Sequence, residues 1–338
     1  MKKCLRFDWI VVRVFLGVVL FLTAGAAVRA LLERNQWARI LTYEVPPSPV
    51  PSAAPFEIVP QNTEVALPTL SFLLSNRVEQ SDVFIVSLEN TPEGVTPILE
   101  WYDRSYNFLT KGNRMVAFLG ADAKQVSGTY PFTVAFGTST LARQITVTKR
   151  AFPVTVLVVT PELEAHGYAP LSIQTNIAAE NIRLNSALIY TSTARFSKPF
   201  VNPLDRMAVV GAYGNIRKNG DVELQHLGVD LDAAEGTPVY AINDGVVNLA
   251  EMFVNYGNTI VVDHGLGIFS FYLHLSALDV KAGDGVARGQ MIAKSGNTGY
   301  SIAPHLHFSV RIRNASVDPM RFIEAVNGVL GAALLPRN

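Results

Sequence analysis

Two histidines stand one residue apart near the end of the chain, in the stretch "APHLHFSV". The apolar alternation around them predicts a β-strand whose core face carries Leu306, Phe308, Val310 and Ile312. His305 and His307 then point together to the opposite face, about 6.6 Å apart along the strand. Such a pair can place one ring on a metal ion and the other on a water beside it, or it can be ordinary polar surface of a half-buried strand. The pair alone leaves both interpretations open.

A second candidate pair lies in "QHLGVDLDAAEGTPVYA", where His226 and Asp230 are four residues apart. Imidazole nitrogen and carboxylate oxygen are both zinc ligands. A straight strand would separate the two residues by about 13 Å, too far for one ion with ligand bonds near about 2 Å. A shared ion therefore requires a curled backbone, which Gly228 permits. The alternative is a surface histidine beside a turn or helix-capping aspartate.

Two further histidines, His264 and His274, lie between these two pairs in the sequence. His274 in "FYLHLSAL" is expected from strict alternation to share a strand face with Tyr272, and a buried core histidine is an equally good interpretation. His264 in "VVDHGLG" lies at a strand-to-turn junction, where we expect a structural, hydrogen-bonded role. Asp232 and Asp263 receive the same structural interpretation, as carboxylates in turns or behind the metal ligands.

The amino-acid composition limits which partners and which metal ligands this chain can have. The 338 residues contain 28 Lys+Arg and 28 Asp+Glu, and this balance argues against nucleic acid as a partner. The only cysteine is Cys4, so intrachain disulfides and thiolate zinc clusters are excluded. Any metal must be held by histidine, aspartate or glutamate.

The N-terminus, "MKKCLRFDWIVVRVFLGVVLFLTAGAAVRA", places basic residues before an apolar run, which is typical of a signal peptide or signal anchor. We expect residues 1–28 to form one hydrophobic helix, with a retained single membrane span slightly favoured over cleavage. Both alternatives place the remainder outside the cytoplasm, either anchored to the cytoplasmic membrane or secreted to the periplasm or cell wall. Residues 29–60 contain the proline-rich stretch "YEVPPSPVPSAAPFEIVP" and predict a stiff, extended linker.

The rest of the chain predicts a mainly β protein. Short β-prone runs broken by turn residues over 61–149 indicate a small antiparallel β-sandwich-like domain. Residues 150–202 form a connector with a helix in "PLSIQTNIAAENIRLNSALIY". Residues 203–325 are β-rich with glycine-bearing turns and predict an all-β domain, and 326–338 form a C-terminal tail.

The motifs "HLGVD", "GTPVYA", "DGVV", "YGNTIVVDHGLG", "YLHLS", "VKAGDGVARGQMIA", "SGNTG" and "PHLHF" occur in the order seen in the lysostaphin-type, LytM-like zinc metallopeptidases. The resemblance covers about residues 205–323, and it implies the duplicated hybrid-motif β fold of these bacterial cell-wall endopeptidases. Residues 61–200 resemble more weakly the β-rich N-terminal region of some membrane-anchored members. The lead-in "AVVGAYGNIRKNGDVELQ" departs from the family's usual pattern, which affects the groove wall and not the ligands.

The resemblance also implies a role for each site residue. His226, Asp230 and His307 would bind Zn²⁺ and leave a fourth position for water. His305 would be the general base that takes a proton from the zinc-bound water. His274 would orient that water or stabilise the tetrahedral oxyanion.

The predicted function is that of a zinc-dependent endopeptidase that hydrolyses peptide stems or cross-bridges of peptidoglycan, with the zinc-bound water as nucleophile. The alternative is a non-catalytic relative that binds peptidoglycan or activates an amidase, which would usually lack some of the five positions. A biotinyl- or lipoyl-carrier hairpin in "VKAGDGVARGQMIA" is a weaker alternative, because no lysine stands at its Gly-Asp-Gly tip. The bond cleaved stays open.

Overall fold

Short strands joined by glycine-bearing turns dominate the part of the chain that the computed structural model describes, residues 68–72 and 75–331. These residues belong to one compact unit, Glu64–Asn338. The expected N-terminal hydrophobic helix at 1–28 and the whole linker at 29–60 lie outside the described residues, as does the expected tail beyond residue 331. Within 68–72 and 75–331, no helix is both long and apolar enough to cross a membrane. The mainly β fold class is confirmed.

Two sheets form the N-terminal part of this unit. Their strands are β1 (Thr69–Phe72), β2 (Arg77–Glu79), β3 (Val83–Glu89), β4 (Ile98–Trp101), β5 (Arg104–Asn107), β6 (Leu109–Lys111), β7 (Arg114–Gly120), β8 (Gly128–Phe136) and β9 (Ser139–Thr148). One sheet has the order β1-β3-β7-β6 and the other β2-β9-β8-β4-β5. All pairs are antiparallel except β2 with β9, which is parallel. Phe84 and Trp101 join the two sheets edge to face, with ring centroids 4.8 Å apart.

A connector follows, made of strand β10 (Val154–Val156), helix α1 (Pro161–Ala165) and helix α2 (Pro170–Ser186). Proline at the start of each helix suits a position whose N–H has no partner within the helix. Helix α2 buries Leu184 in a cluster with Phe269, Phe271 and Leu273. Its Glu180 carboxylate accepts a hydrogen bond from the Asn255 backbone N–H at 2.9 Å. The connector therefore packs directly on the strands that follow it.

The third part is built on one large sheet with the order β11-β14-β22-β18-β17-β16-β20, and β23 pairs with β22. Its strands are β11 (Val209–Gly211), β14 (Val229–Asp232), β16 (Gly245–Phe253), β17 (Gly257–Asp263), β18 (Ile268–Leu275), β20 (Gly285–Val286), β22 (His305–Ile312) and β23 (Ala315–Val317). Two three-stranded sheets, β10-β12-β13 and β15-β21-β19, flank it. They comprise β12 (Ile216–Asn219), β13 (Val222–Gln225), β15 (Pro238–Tyr240), β19 (Ala277–Leu278) and β21 (Met291–Lys294).

Helix α3 (Pro319–Gly331) ends the described chain, and the boundary expected at residue 325 falls inside it. Its apolar side is buried through Phe322, Val326, Val329 and Leu330, which explains why a helix forms where β structure followed by a tail was expected. The Phe322 ring meets Phe200 edge to face, with centroids 5.0 Å apart. The bounds of the individual domains stay predictions.

Helix α3 and strand β23 also contact the N-terminal sheets. Asp318 donates its backbone N–H to the Ser81 carbonyl at 2.9 Å, and its carboxylate pairs with Arg150 at 2.9 Å. Arg321 pairs with Asp82 and with Glu79. A Cβ at Gly120 would overlap Val317, so β7 lies directly against β23. One continuous apolar core runs through both parts.

We expect Phe322→Ala to lower the free energy of unfolding by about 3–5 kcal/mol, because a fully buried ring would leave a cavity in this shared core. Thermal unfolding followed by circular dichroism should show a single transition at a lower temperature. Phe322→Leu should cost distinctly less. Two separate transitions, with only one of them shifted, would contradict a shared core.

Candidate metal centre

Three side chains aim one potential ligand atom each at a common point. His226 Nε2 lies 2.9 Å from Asp230 Oδ1 and 2.9 Å from His307 Nδ1, and the third side of the triangle, His307 Nδ1 to Asp230 Oδ1, is 3.0 Å. All three residues are largely shielded from solvent. A tetrahedral zinc ion with bonds of about 2.0–2.1 Å would hold its ligand atoms about 3.3 Å apart, so a small outward movement of these side chains accommodates it. Two imidazole nitrogens and a carboxylate oxygen are a donor set that zinc accepts.

Strand pairing and a bend bring these residues together. In the antiparallel pair of β14 with β22, Asp230 stands opposite His307 and Asp232 opposite His305. His226 precedes β14 and follows β13, in the short segment where the chain changes direction. This is the curled backbone expected around Gly228. Gly228 is required there for space, because a Cβ would overlap the His307 ring and the Phe308 carbonyl oxygen.

A backbone carbonyl selects the ring tautomer of His226. Its Nδ1 lies 2.9 Å from the Ala212 carbonyl oxygen, which can only accept, so Nδ1 carries the proton. The lone pair of Nε2 is then directed at Asp230 and His307. Fixing a ligand ring through its second nitrogen is the usual arrangement behind a metal site.

His305 lies beside the three ligand atoms without joining them. Its Nδ1 is 2.8 Å from the Ala303 carbonyl oxygen and therefore donates to it. Its Nε2 is 3.5 Å from Asp230 Oδ1 and carries the unshared electron pair. The expected strand geometry is confirmed, since Leu306, Phe308, Val310 and Ile312 are fully buried on the other face.

His274 differs from the expectation. Strict alternation would have placed it on the face of Tyr272, whose ring packs on Phe308 in the core. Instead, its ring lies 4.9 Å from His305 and 6.0 Å from His307, centroid to centroid. The reason is a β-bulge: between the pairs Ile260–Tyr272 and Asn258–Leu275, two residues of β18 stand opposite one residue of β17. His274 is one of these two residues and takes a left-handed φ of 62°. Its Nδ1 donates to the Thr298 carbonyl at 2.8 Å, which leaves Nε2 as an acceptor.

The local electrostatics keep Asp230 and His307 deprotonated. Burial opposes ionisation of Asp230, but its contacts with His226 and His307 outweigh burial and hold the pKa of this carboxyl well below its usual range. Burial lowers the pKa of His307 to about 4. Burial, together with the neighbouring His305 and His307, lowers the pKa of His274 to about 3. At neutral pH, Asp230 and His307 therefore have the forms that bind metal ions.

Arg217 is a residue of the site that the sequence analysis did not identify. Its guanidinium donates to the second oxygen of Asp230, Oδ2, at 3.0 Å, so that Oδ1 faces the two histidines. Arg217 lies in the lead-in stretch before His226, and the only signal was its position there. Gly211 packs against the same carboxylate, where a Cβ would overlap Asp230.

The residues given structural roles lie outside this cluster. His264 is fully buried, with Nδ1 2.8 Å from the Asp244 carbonyl oxygen and Nε2 2.8 Å from Ser270 Oγ. Asp263 accepts hydrogen bonds from Thr191, Arg195 and the Gly265 N–H. Asp232 is exposed.

A cavity of about 510 Å³ opens onto the cluster. Its floor is one face of the paired strands β22 and β18. His305 and His307 of β22 and Phe271 and Leu273 of β18 lie on this face. Its walls come from the lead-in before His226, from the loop 300–304 and from the connector, including Asn181 and Leu184 of α2. The lining extends beyond the ligand atoms to Arg311 at the other end of β22.

We expect Gly228→Ala to weaken zinc binding about 10- to 100-fold and to lower the free energy of unfolding by about 1–3 kcal/mol, because the added methyl group displaces His307. Competition with a chelating dye would measure the affinity. Gly285→Ala is the matched control, since a Cβ there meets no atom within 4 Å. Equal zinc affinity of the two variants would contradict this account of Gly228.

Comparisons with known proteins identify relatives of the region that contains this cluster. The model of peptidase family M23 matches residues 224–319. The peptidoglycan DD-endopeptidase ShyA of Vibrio cholerae serotype O1 is 44% identical over 96 residues, which are 28% of this chain and 22% of ShyA. The glycyl-glycine endopeptidase ALE-1 of Staphylococcus capitis is 45% identical over 107 residues, 30% of this chain and 29% of ALE-1. The chain thus spans less than a third of the length of these relatives.

The fold likeness extends beyond the matched domain. A crystal structure of a Pseudomonas aeruginosa protein assigned to peptidase M23 superposes with a TM-score of 0.51 over 72% of this chain and 93% of that one, at 24% identity. This likeness concerns the fold alone, and it includes residues before the peptidase region. The sequence matches confirm the resemblance drawn from the motifs: residues 224–319 belong to a peptidase family M23 domain, homologous to those of ShyA and ALE-1.

Proposed function

We propose that this protein is a zinc-dependent endopeptidase that hydrolyses peptide stems or cross-bridges of bacterial peptidoglycan. The observation that carries the proposal is the convergence of His226 Nε2, Asp230 Oδ1 and His307 Nδ1 within 3.0 Å of one another at the floor of a cavity. ShyA is a peptidoglycan DD-endopeptidase and ALE-1 a glycyl-glycine endopeptidase, which supports peptide bonds of the cell wall as the substrate class.

His226, Asp230 and His307 would hold the ion. When bound in such a site, Zn²⁺ lowers the pKa of water to about 7 and polarises a carbonyl oxygen. The chain's own residues handle the proton. His305 presents an unprotonated Nε2 to the groove and takes the proton of the attacking water, which it then returns to the leaving amine.

The ring of His274 suits one of its two expected roles better than the other. With Nδ1–H committed to the Thr298 carbonyl, the neutral ring offers only an acceptor at Nε2. An acceptor can hold and orient a water molecule, whereas it cannot donate to an oxyanion. We therefore assign His274 to orienting the attacking water.

The substrate class also implies a location. Peptidoglycan lies outside the cytoplasm, so the protein would act there, anchored by residues 1–28 or released after their removal. The proposal requires that the peptidase domain lie outside the cytoplasm, whether residues 1–28 are kept as an anchor or removed.

The alternative function is a non-catalytic protein that binds peptidoglycan or activates another hydrolase. All five positions, His226, Asp230, His274, His305 and His307, meet at one cavity, an arrangement that binding alone does not need. Catalysis is therefore the better-supported function.

His307→Ala should abolish both stoichiometric zinc binding and the cleavage of muropeptides, because it removes one of three protein ligands. Metal analysis of the purified protein and mass spectrometry of digested muropeptides would measure the two effects. Chelation followed by zinc addition should restore activity only in the unsubstituted protein. Cleavage by a metal-free sample would rule out the mechanism, and binding without any cleavage would favour the regulatory alternative.

His305→Ala should separate catalysis from metal binding. The variant keeps the three ligand residues, so we expect unchanged zinc content and a kcat about 10²- to 10⁴-fold lower. His166→Ala, which removes an exposed histidine at the end of α1, is the control and should leave both quantities unchanged. Loss of zinc from His305→Ala would instead place this ring among the ligands.

A further inference from the structure

Arg311 lies on the same strand face as the histidines of the site. It follows His307 by four residues in β22, about 13 Å further along the strand. His305, His307 and Arg311 line the same cavity. A peptide extended along this groove would therefore pass from the candidate metal centre to the guanidinium in about four residues.

The hydrogen-bonding and ring contacts of the guanidinium are all with neutral groups, and the Asp122 carboxylate acts on it electrostatically without forming an ion pair. Its central carbon lies 4.8 Å from the centroid of the Phe271 ring. One of its terminal nitrogens, Nη1, donates to Asn185 Oδ1 at 2.8 Å and to Asn314 Oδ1 at 3.2 Å. Nε and Nη2 have no hydrogen-bond partner among residues 68–72 and 75–331, and no carboxylate of these residues forms an ion pair with Arg311.

Two charged side chains of the cavity form ion pairs, whereas Lys124, which also lines it, is exposed to solvent. Arg217 pairs with Asp230 at 3.0 Å, and Glu223 pairs with Lys218 at 2.6 Å. Arg311 is half-buried, and burial lowers its pKa, which expresses the cost of keeping this cation away from water. A desolvated cation of this kind is stabilised by an anion, and the planar guanidinium fork matches a carboxylate with two parallel hydrogen bonds.

We propose that Arg311 binds a free carboxylate of the substrate peptide and thereby selects acidic stem peptides. This inference rests on the proposed function, because it places the carboxylate on the peptide that the metal centre would cut. The carboxylate can belong to an acidic side chain or to a peptide C-terminus, and both offer the same group to the guanidinium. The stack on Phe271 and the two amide contacts hold Nε and Nη2 open for it.

The test uses the full chain loaded with zinc and three synthetic stem peptides that differ only in which carboxylate is amidated. One peptide keeps all carboxylates, one has its side-chain carboxylate amidated, and one has its C-terminal carboxylate amidated. Dissociation constants come from calorimetry on versions with a reduced, non-hydrolysable scissile amide, and kcat and KM from the hydrolysable versions. We expect one amidation to weaken binding by about 10- to 100-fold and to raise KM with little change in kcat. The amidation that does so identifies the source of the carboxylate.

Arg311→Gln should bind the unmodified peptide as weakly as the unsubstituted protein binds the sensitive amidated one, and it should no longer distinguish the two. Arg311→Lys should keep part of the preference. Arg313→Gln is the matched control, because Arg313 also stacks on an aromatic ring, Tyr190 at 3.7 Å, but does not line the cavity. Thermal unfolding and zinc content verify that each variant folds, and the amidation series on the unsubstituted protein needs no variant.

Equal dissociation constants for all three peptides, or a preference that survives in Arg311→Gln, would overturn the carboxylate site. Cleavage without such a preference would leave the endopeptidase proposal intact. Binding with the preference but without cleavage of any peptide would support the carboxylate site and overturn the endopeptidase proposal. The two proposals therefore fail separately.

Discussion

Three electron-pair donors, two imidazole nitrogens and one carboxylate oxygen, meet within 3.0 Å of one another at His226, His307 and Asp230. Their lone pairs repel unless a cation or a shared proton lies between them, and partial burial strengthens that repulsion. Much of the surrounding structure can be understood as holding these atoms in place. The Ala212 carbonyl orients His226, Arg217 orients Asp230, and the glycine at 228 admits the His307 ring.

One face of strand β22 carries the side chains of the candidate metal centre, and the other face carries side chains of the core. Along β22, Leu306, Phe308, Val310 and Ile312 are buried in a core that is continuous with the N-terminal sheets and with α3. The opposite face carries His305, His307 and Arg311 in a row along the cavity. Packing on one side thus makes the spacing of the side chains on the other side rigid, which suits the proposed alignment of a peptide with a water molecule.

The connector takes part in the groove as well as joining two β regions. Helix α2 places Asn181 and Leu184 at the cavity and Asn185 on Arg311, while its Glu180 holds the Asn255 N–H of the turn between β16 and β17. The next residue of that turn, Tyr256, accepts the backbone N–H of His274 through its carbonyl at 3.0 Å. A change in how α2 packs would therefore reach both the His274 backbone and the guanidinium.

Local sequence patterns were sufficient to predict the mainly β class, the opposite faces of the strand at 305–312 and the need for a bend at Gly228, because alternation and glycine act over a few residues. The presence of an M23 domain followed from motifs in order, and the cluster of His226, Asp230 and His307 agrees with the ligand set that the resemblance implied. The face of His274 could not be predicted, because a bulge opposite β17 reverses the alternation and depends on pairing with another strand. The contact of Arg217 with Asp230, helix α3 and the part of the cavity wall formed by the connector could not be predicted either, since each depends on contacts between segments far apart in the chain.

The sequence by itself determined which side chains can perform the chemistry. Only the tertiary structure decided which of them face the same cavity, because register, bulges and packing set the direction of each side chain.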